Sequence, residues 1–284
     1  MTGTARGRTF PYRGMTYADY SQILSSFGVY PVIVSVKKHT RFPIADPDEL
    51  KKVYTYVESG FPVLASFAGH VVALVGHTID YDRPYTEDSD GFVDSFSFLK
   101  QFITIDDNFF PYALLGYDDD PDNYATVYPY SINSIVTAVC PLPEKAFLPA
   151  EKAKEKAMKY FRNFISELGK YSGKPWVTRF FITTNKSFKR RKLENIKAGH
   201  DKLDSFIINI DLPHFIWVME ISSLADYKNG VCVAEIVLDS TASEKDHAVL
   251  YMRIGNILYF NGKEKNVSDA SKSFPQYTDN LNKE

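Results

Sequence analysis

FPVLASFAGHVVALVG, residues 61–76, sets the architecture expected for the first half of the chain. Two apolar, partly β-branched runs flank a tight Ala68-Gly69 turn, and the second run follows directly on His70. Runs of this kind on either side of turn residues are typical of a β-hairpin, and their continuous apolar character indicates a buried sheet. The sequence therefore predicts a hairpin inside a buried sheet, with a histidine where its second strand begins.

Polar residues Asp106-Asp107-Asn108 follow the next predicted strand, residues 98–105. A histidine where one strand begins, with a carboxylate or amide where the next one ends, is half of a cysteine-hydrolase site. In such a site the histidine is the base and the second residue fixes its tautomer and orientation. The structural alternatives are a histidine that only stabilises a turn and acidic residues that only terminate a strand.

The whole chain predicts an α+β fold in two parts. Helical spacing and cap residues predict helices over residues 16–27, 46–59 and 151–168. Apolar runs predict further strands over residues 29–36, 134–139, 177–183, 206–210, 215–221, 231–238 and 249–258. We divide the chain into a flexible N-terminal arm (1–12), a first domain (13–140), an accessory α+β domain with a long helix on an antiparallel sheet (141–262) and a polar C-terminal tail (263–284).

Composition narrows the class of protein. A hydrophobic content of 44% with 24% charged residues is that of a globular chain with a sizeable core, and 15% aromatic residues favours sheet. The net charge of -2 gives no field that would attract nucleic acid or a membrane surface. Two distant cysteines make no disulfide framework, and residues 1–8 lack the apolar core of a signal peptide. We therefore expect a cytoplasmic protein with no membrane span.

The segment from Gly14 to Tyr130 resembles the papain-like cysteine peptidase superfamily, especially its bacteriocin-processing branch and bacterial relatives. The matching pieces are Gly14-Met15-Thr16 opening a helix, VYTYVESGFPV at residues 53–63, Gly69-His70 before an apolar strand, and Ile105-Asp106-Asp107-Asn108 after the next. The resemblance implies a papain-like first domain in which His70 is the general base. It also implies that Asp107 orients the histidine, with Asp106 as the alternative one residue away.

This superfamily places its nucleophilic cysteine at a helix N-terminus upstream of the histidine, where the thiolate is stabilised. No cysteine precedes His70 here, and Ser21, Ser25 and Ser26 fall inside the first predicted helix rather than at its start. We therefore expect a cysteine-peptidase-like protein with the nucleophile missing: a truncated hydrolase, a pseudoenzyme, or a chain completed by another polypeptide. The competing hypothesis is a non-catalytic module that binds a protein or peptide.

The remaining chemical groups favour structural roles. Cys140 and Cys232 sit in apolar strands and are interpreted as small buried hydrophobes. No Cys/His cluster has zinc spacing and the aspartates of residues 118–122 lack an EF-hand pattern, so we predict no metal and no cofactor. A basic segment from Lys186 to Lys197 is the only hint of nucleic-acid binding, and a solvated loop is its default interpretation.

Overall fold

A computed structural model describes residues 17–37, 45–109, 111–118, 128–171, 174–199, 203–268 and 272–278. The fold class is α+β, as the sequence predicts. The predicted N-terminal arm, the Thr16 cap and most of the acidic turn at residues 117–123 lie outside the described residues. Within the described part of the chain, no helix combines the length and the apolar character needed to cross a membrane.

The described residues contain seven helices and fifteen strands, with single 3-10 turns between some of them. The helices are α1 (Tyr17–Ser26), α2 (Pro47–Glu58), α3 (Ala150–Phe161), α4 (Ile165–Leu168), α5 (Asn185–Lys197), α6 (Asp204–Ile207) and α7 (Leu224–Lys228). The first strands are β1 (Val29–Ser35), β2 (Val63–Phe67), β3 (His70–Ile79), β4 (Phe92–Asp94), β5 (Leu99–Ile105), β6 (Ala113–Leu115) and β7 (Thr137–Pro143). The later strands are β8 (Trp176–Thr184), β9 (Phe215–Ser223), β10 (Val231–Cys232), β11 (Ala234–Asp239), β12 (Val249–Ile254), β13 (Ile257–Phe260), β14 (Lys263–Asn266) and β15 (Phe274–Pro275).

The first sheet is antiparallel throughout, in the order β1-β7-β2-β3-β5-β6. The predicted hairpin of residues 61–76 forms β2 and β3, with Gly69 at a φ of 83° in its turn. Helix α2 packs on this sheet and begins as predicted, because Asp46 caps the Asp48 backbone N–H and Pro47 occupies the first turn. Its buried face carries Leu50, Val53, Tyr54 and Val57.

A bulge in β3 changes which side chains share a face of the first sheet. Leu74 lies opposite Thr104 and His77 lies opposite Phe102, so one extra residue of β3 falls between these two pairs. The odd spacing of His70 and His77 along the sequence predicts opposite faces. That prediction is wrong, because the bulge returns His77 to the face that His70 shares with Leu74.

The second sheet has the order β14-β13-β12-β11-β9-β8-β4, and its only parallel pair joins β4 to β8. Helix α3 packs on one face through the small buried side chains of Ala153 and Ala157 and through Phe161. Phe188 of α5 and Ile207 of α6 belong to a separate buried cluster that includes Val218 and Val237 of the sheet. This sheet therefore has helices on both sides.

The two halves of the chain share packing. Strand β4 comes from the first half and pairs with β8 of the second sheet, although residues 80–96 read as a loop in the sequence. The largest buried cluster contains residues of both halves, and the rings of Tyr56 and Trp217 meet edge to face at 6.3 Å. The carboxylate of Glu58 in α2 also pairs with Arg179 in β8. The division of the chain into two domains at residue 140 stays a prediction. The buried core is continuous across this position.

Two predictions of secondary structure in the second half are wrong. The basic segment from Lys186 to Lys197 is not a loop but belongs to α5, whose buried stripe includes Lys192 and Asn195. Residues 206–210 are not a strand, because α6 covers Asp204–Ile207. The apolar residues of both segments have helical spacing. Polar residues in the buried stripe of α5, and the short length of α6, obscure this spacing in the sequence.

Three element ends also differ from the sequence-based boundaries. The long predicted helix stops at Phe161, where a 3-10 turn and the short α4 follow. Strand β7 continues through Pro141, which lies opposite Pro31, on a stretch where β7 pairs only with β1. Residues 263–266 form β14, and Phe274 and Tyr277 are buried, so the described part of the predicted polar tail packs on the fold.

Candidate functional site

The candidate site forms where β3 begins and β5 ends. His70 is the first residue of β3, and Asp106 directly follows the last residue of β5. These strands are antiparallel neighbours, and the pairing of Ala73 with Ile105 brings the start of one next to the end of the other. The register of β3 against β5 therefore places the side chains of His70 and Asp106 together.

The His70 ring is held to a buried carboxylate. Its Nε2 lies 2.8 Å from Oδ1 of Asp106, and Oδ1 also accepts the backbone N–H of Asn108 at 2.9 Å. The second oxygen, Oδ2, accepts the hydroxyl of Tyr128 at 3.0 Å. Burial opposes ionisation of Asp106, but these three donors outweigh it and lower the pKa of the carboxyl. The site therefore keeps an ionised acceptor on one nitrogen of the imidazole.

The structure selects Asp106, the alternative, as the hydrogen-bond partner of His70. Asp107 is exposed, and the structure gives it no hydrogen bond to the ring, although its carboxylate lies within 4.8 Å of the other two ligand atoms. Asp106 directly follows β5 and contacts the imidazole, whereas Asp107 lies in the exposed bend that follows. The sequence narrowed the partner to a pair and the strand register decides between them.

The other nitrogen of His70 faces the side chain of Asn108. Nδ1 lies 3.3 Å from the Asn108 side-chain nitrogen, and the imidazole side chain is 14% exposed. Tyr130 stacks on the ring at a centroid distance of 5.5 Å, and Phe67 stacks on Tyr130 at 4.5 Å. With Nε2–H donating to Asp106, the lone pair of Nδ1 accepts a hydrogen bond from the side-chain amide of Asn108. The arrangement presents an oriented, partly exposed base.

The sequence did not single out Tyr128 and Tyr130 as site residues. Burial and the negative charge of Asp106 raise the pKa of Tyr128, so its hydroxyl stays a donor. Both tyrosines come from a Tyr-Pro-Tyr segment that lies more than twenty residues from Asp106, and only the folded chain brings them to the histidine. Nothing in the sequence distinguishes these tyrosines from the many others of the chain.

A metal ion is a possible occupant by ligand type, since His70, Asp106 and Asp107 offer atoms within 4.8 Å of one another. Asp106 already uses both oxygens, which accept hydrogen bonds from His70, Asn108 and Tyr128. A metal would therefore have to displace hydrogen bonds of the buried carboxylate, which disfavours metal binding at this site. The prediction that the chain binds no metal stays a prediction.

Neither cysteine is placed to act as the nucleophile. Cys140 and Cys232 are free and fully buried, and burial raises the pKa of both thiols. In the first sheet, Val139 lies opposite Leu64 while His70 lies opposite Phe67, so Cys140 is four residues away along the strands. At about 3.3 Å per residue this separation is roughly 13 Å along the strand direction alone.

Comparisons with protein-family models, with curated proteins and with solved structures find no match for this chain. The resemblance to papain-like peptidases therefore rests on the residues quoted from the sequence. The hydrogen bonds that join His70 to Asp106 and Asn108, and Asp106 to Tyr128, are an observation independent of that resemblance.

Proposed function

We propose that this chain carries the base and the orienting acid of a cysteine-hydrolase site of the papain-like kind. The observation that supports the proposal most strongly is the 2.8 Å contact between His70 Nε2 and the buried Asp106 Oδ1. In the proposed site Asp106 takes the role first assigned to Asp107. Asn108 and Tyr128 fix the carboxylate, and Tyr130 covers one face of the imidazole.

The proposed chemistry is acyl transfer with Nδ1 of His70 as the base. A thiol beside Nδ1 gives up its proton, and Asp106 stabilises the imidazolium that forms. The thiolate attacks the carbonyl carbon of a peptide, and the imidazolium then returns its proton to the departing amine. The two thiols of these 284 residues are buried, so the nucleophile in this proposal belongs to another segment or another chain.

A second candidate is the non-catalytic binding of a protein or peptide at the same place. Ile105, Phe109 and Tyr112 flank Asp106 in sequence and expose 43%, 37% and 65% of their surface. Exposed apolar residues grouped around a polar centre are common at protein-binding surfaces. This candidate needs no oriented base, so the state of the imidazole distinguishes the two. For either candidate we propose a cytoplasmic location, which fits two free thiols.

The proposal predicts that the Nε2 proton of His70 is held by Asp106. An imidazole N–H bound to a buried carboxylate exchanges slowly with water, so we expect a resolved, downfield Nε2–H resonance in the proton NMR spectrum. Asp106→Ala should abolish this resonance.

Asp107→Ala is the matched control, because it removes the neighbouring exposed acid without touching the hydrogen bond. It should leave the resonance in place. A resonance that survives Asp106→Ala and disappears in Asp107→Ala would exchange the roles of the two acids. A resonance absent from the native chain as well would contradict the oriented base.

A further inference from the structure

A cleft far from His70 combines positive charge with aromatic rings. It has a volume of about 510 Å³ and lies between α2, α3 and the segment of residues 83–97. Phe96 and Ser97, on its wall, precede β5, whereas Asp106 follows the other end of that strand. The six residue steps of β5 separate the two places by roughly 20 Å. We call this place the Arg83 cleft.

Charged side chains of both signs line the Arg83 cleft. The lining holds Lys51, Arg83, Lys154 and Arg162 against Asp88 and Asp94, and Asp48 and Asp90 outside the lining pair with Lys51 and Arg162. A cation that has no carboxylate partner in such a cleft attracts a ligand of the opposite sign. The natural ligand class is therefore anionic.

Two of these cations have close carboxylate partners, Lys51 has only distant ones, and Arg83 has none among the described residues. Lys154 pairs with Asp94, and Arg162 pairs with Asp90 at 2.8 Å and with Asp88 at 3.3 Å. Lys51 reaches the carboxylates of Asp48 and Asp94 only at 3.5 and 4.0 Å. In the described part of the chain, the guanidinium of Arg83 has no carboxylate partner and instead lies over the Tyr117 ring, 4.3 Å from its centroid. Arg83 therefore offers its planar set of donors to a ligand.

The other walls of the cleft are aromatic. Tyr85, Phe92, Phe96 and Tyr117 line it, together with the flexible side chain of Met158. Tyr85 packs edge-on against Phe98 at a centroid distance of 5.7 Å. The side chain is 37% exposed, so part of the ring is accessible to a ligand. A simple oxyanion would contact the cations but leave the aromatic surface of the cleft exposed to water. A ligand that carries both an anionic group and a flat ring uses both.

We propose that the Arg83 cleft binds a nucleoside phosphate. The phosphate groups contact Arg83 and Lys51, and the base packs among the aromatic rings. The volume suits one such molecule, since ligand cavities of about 300–1,000 Å³ hold ligands of this size. This site is separate from the proposed hydrolase site and stands without it.

The test is calorimetric titration of the full chain with the diphosphates of adenosine, guanosine, uridine and cytidine, without added Mg²⁺. At least one should bind with a Kd below about 1 mM, the range reached by a few charge-assisted hydrogen bonds. Inorganic pyrophosphate lacks the ring and the free nucleoside lacks the charge, so each should bind at least about tenfold more weakly.

Arg83→Ala should weaken binding about tenfold or more, because it removes the only cation of the cleft that has no carboxylate partner among the described residues. Lys228→Ala is the matched control: Lys228 also lies over a tyrosine ring, that of Tyr81 at 5.4 Å, but outside the cleft. It should leave the Kd unchanged. No binding by any diphosphate, equal binding of pyrophosphate, or equal effects of the two variants would overturn the proposal.

Discussion

Arg179→Met should lower the free energy of unfolding by about 3–5 kcal/mol, the range measured when one partner of a buried ion pair is removed. The guanidinium is fully buried and pairs with Glu58 from α2 and with Glu220 on the neighbouring strand, the latter at 2.8 Å. It also donates to the backbone oxygen of Tyr277 at 2.7 Å. Methionine fills much of the volume but leaves two carboxylates without their cation, which is why the loss is large.

Chemical denaturation followed by circular dichroism measures this loss. Arg162→Met is the matched control, since Arg162 pairs with Asp88 and Asp90 at the surface and should contribute at most about 1 kcal/mol. Equal, small effects of the two variants would contradict a stabilising buried network. The same curves test the division at residue 140: one transition means that both halves unfold together, and two transitions mean that they are separate domains.

Acid should narrow the difference between the native chain and Arg179→Met. Burial opposes ionisation of Glu58, but Arg179 and His77 outweigh it and lower its pKa. A lowered folded pKa contributes stability above the unfolded value of about 4.3 and loses it as the pH falls through the folded value. The unfolded forms of the two chains bind protons at Glu58 equally, so the gap in unfolding free energy should shrink as the pH falls below the folded pKa of Glu58 in Arg179→Met, which lacks the cation that lowers this pKa in the native chain. A gap that stays the same down to pH 3 would contradict this account.

Local signals in the sequence predicted the parts of the site that depend on one hairpin and one strand end. Asp46-Pro47 marks a helix start, Ala68-Gly69 marks a turn, and both appear where the chain pattern puts them. The Gly69-His70 pair and the acidic pair after the next strand then come together because adjacent antiparallel strands must align. Such features are local, so a sequence can show them.

Long-range features escaped the sequence for an identifiable reason. The choice of Asp106 over Asp107 depends on strand register, the shared face of His70 and His77 depends on a bulge, and Tyr128 reaches Asp106 across more than twenty residues. Lys192 interrupts the apolar pattern of α5 and so obscured this helix in the sequence. The lysine can be buried there because it pairs with Glu235, 2.9 Å away on β11. Each case is decided by a partner distant in sequence, and a single sequence carries no record of partners.

A thiol placed beside Nδ1 of His70 should become reactive at acidic pH. Asn108 is exposed and its side-chain nitrogen lies 3.3 Å from Nδ1, so Asn108→Cys puts a sulfur next to the proposed base. A thiolate–imidazolium pair lowers a cysteine pKa from about 8.5 to about 6 or below. At pH 6 this raises the thiolate fraction roughly 100-fold, and the lower intrinsic nucleophilicity of the stabilised thiolate leaves about a tenfold gain in rate.

The decisive measurement is the rate of iodoacetamide labelling of Asn108→Cys at pH 6, in the presence and in the absence of His70. Buried Cys140 and Cys232 should label slowly and set the baseline in the native chain. Asn108→Cys should label about tenfold faster than the double variant Asn108→Cys, His70→Ala. Equal labelling rates in the two variants would contradict the claim that His70 is a base able to activate a thiol.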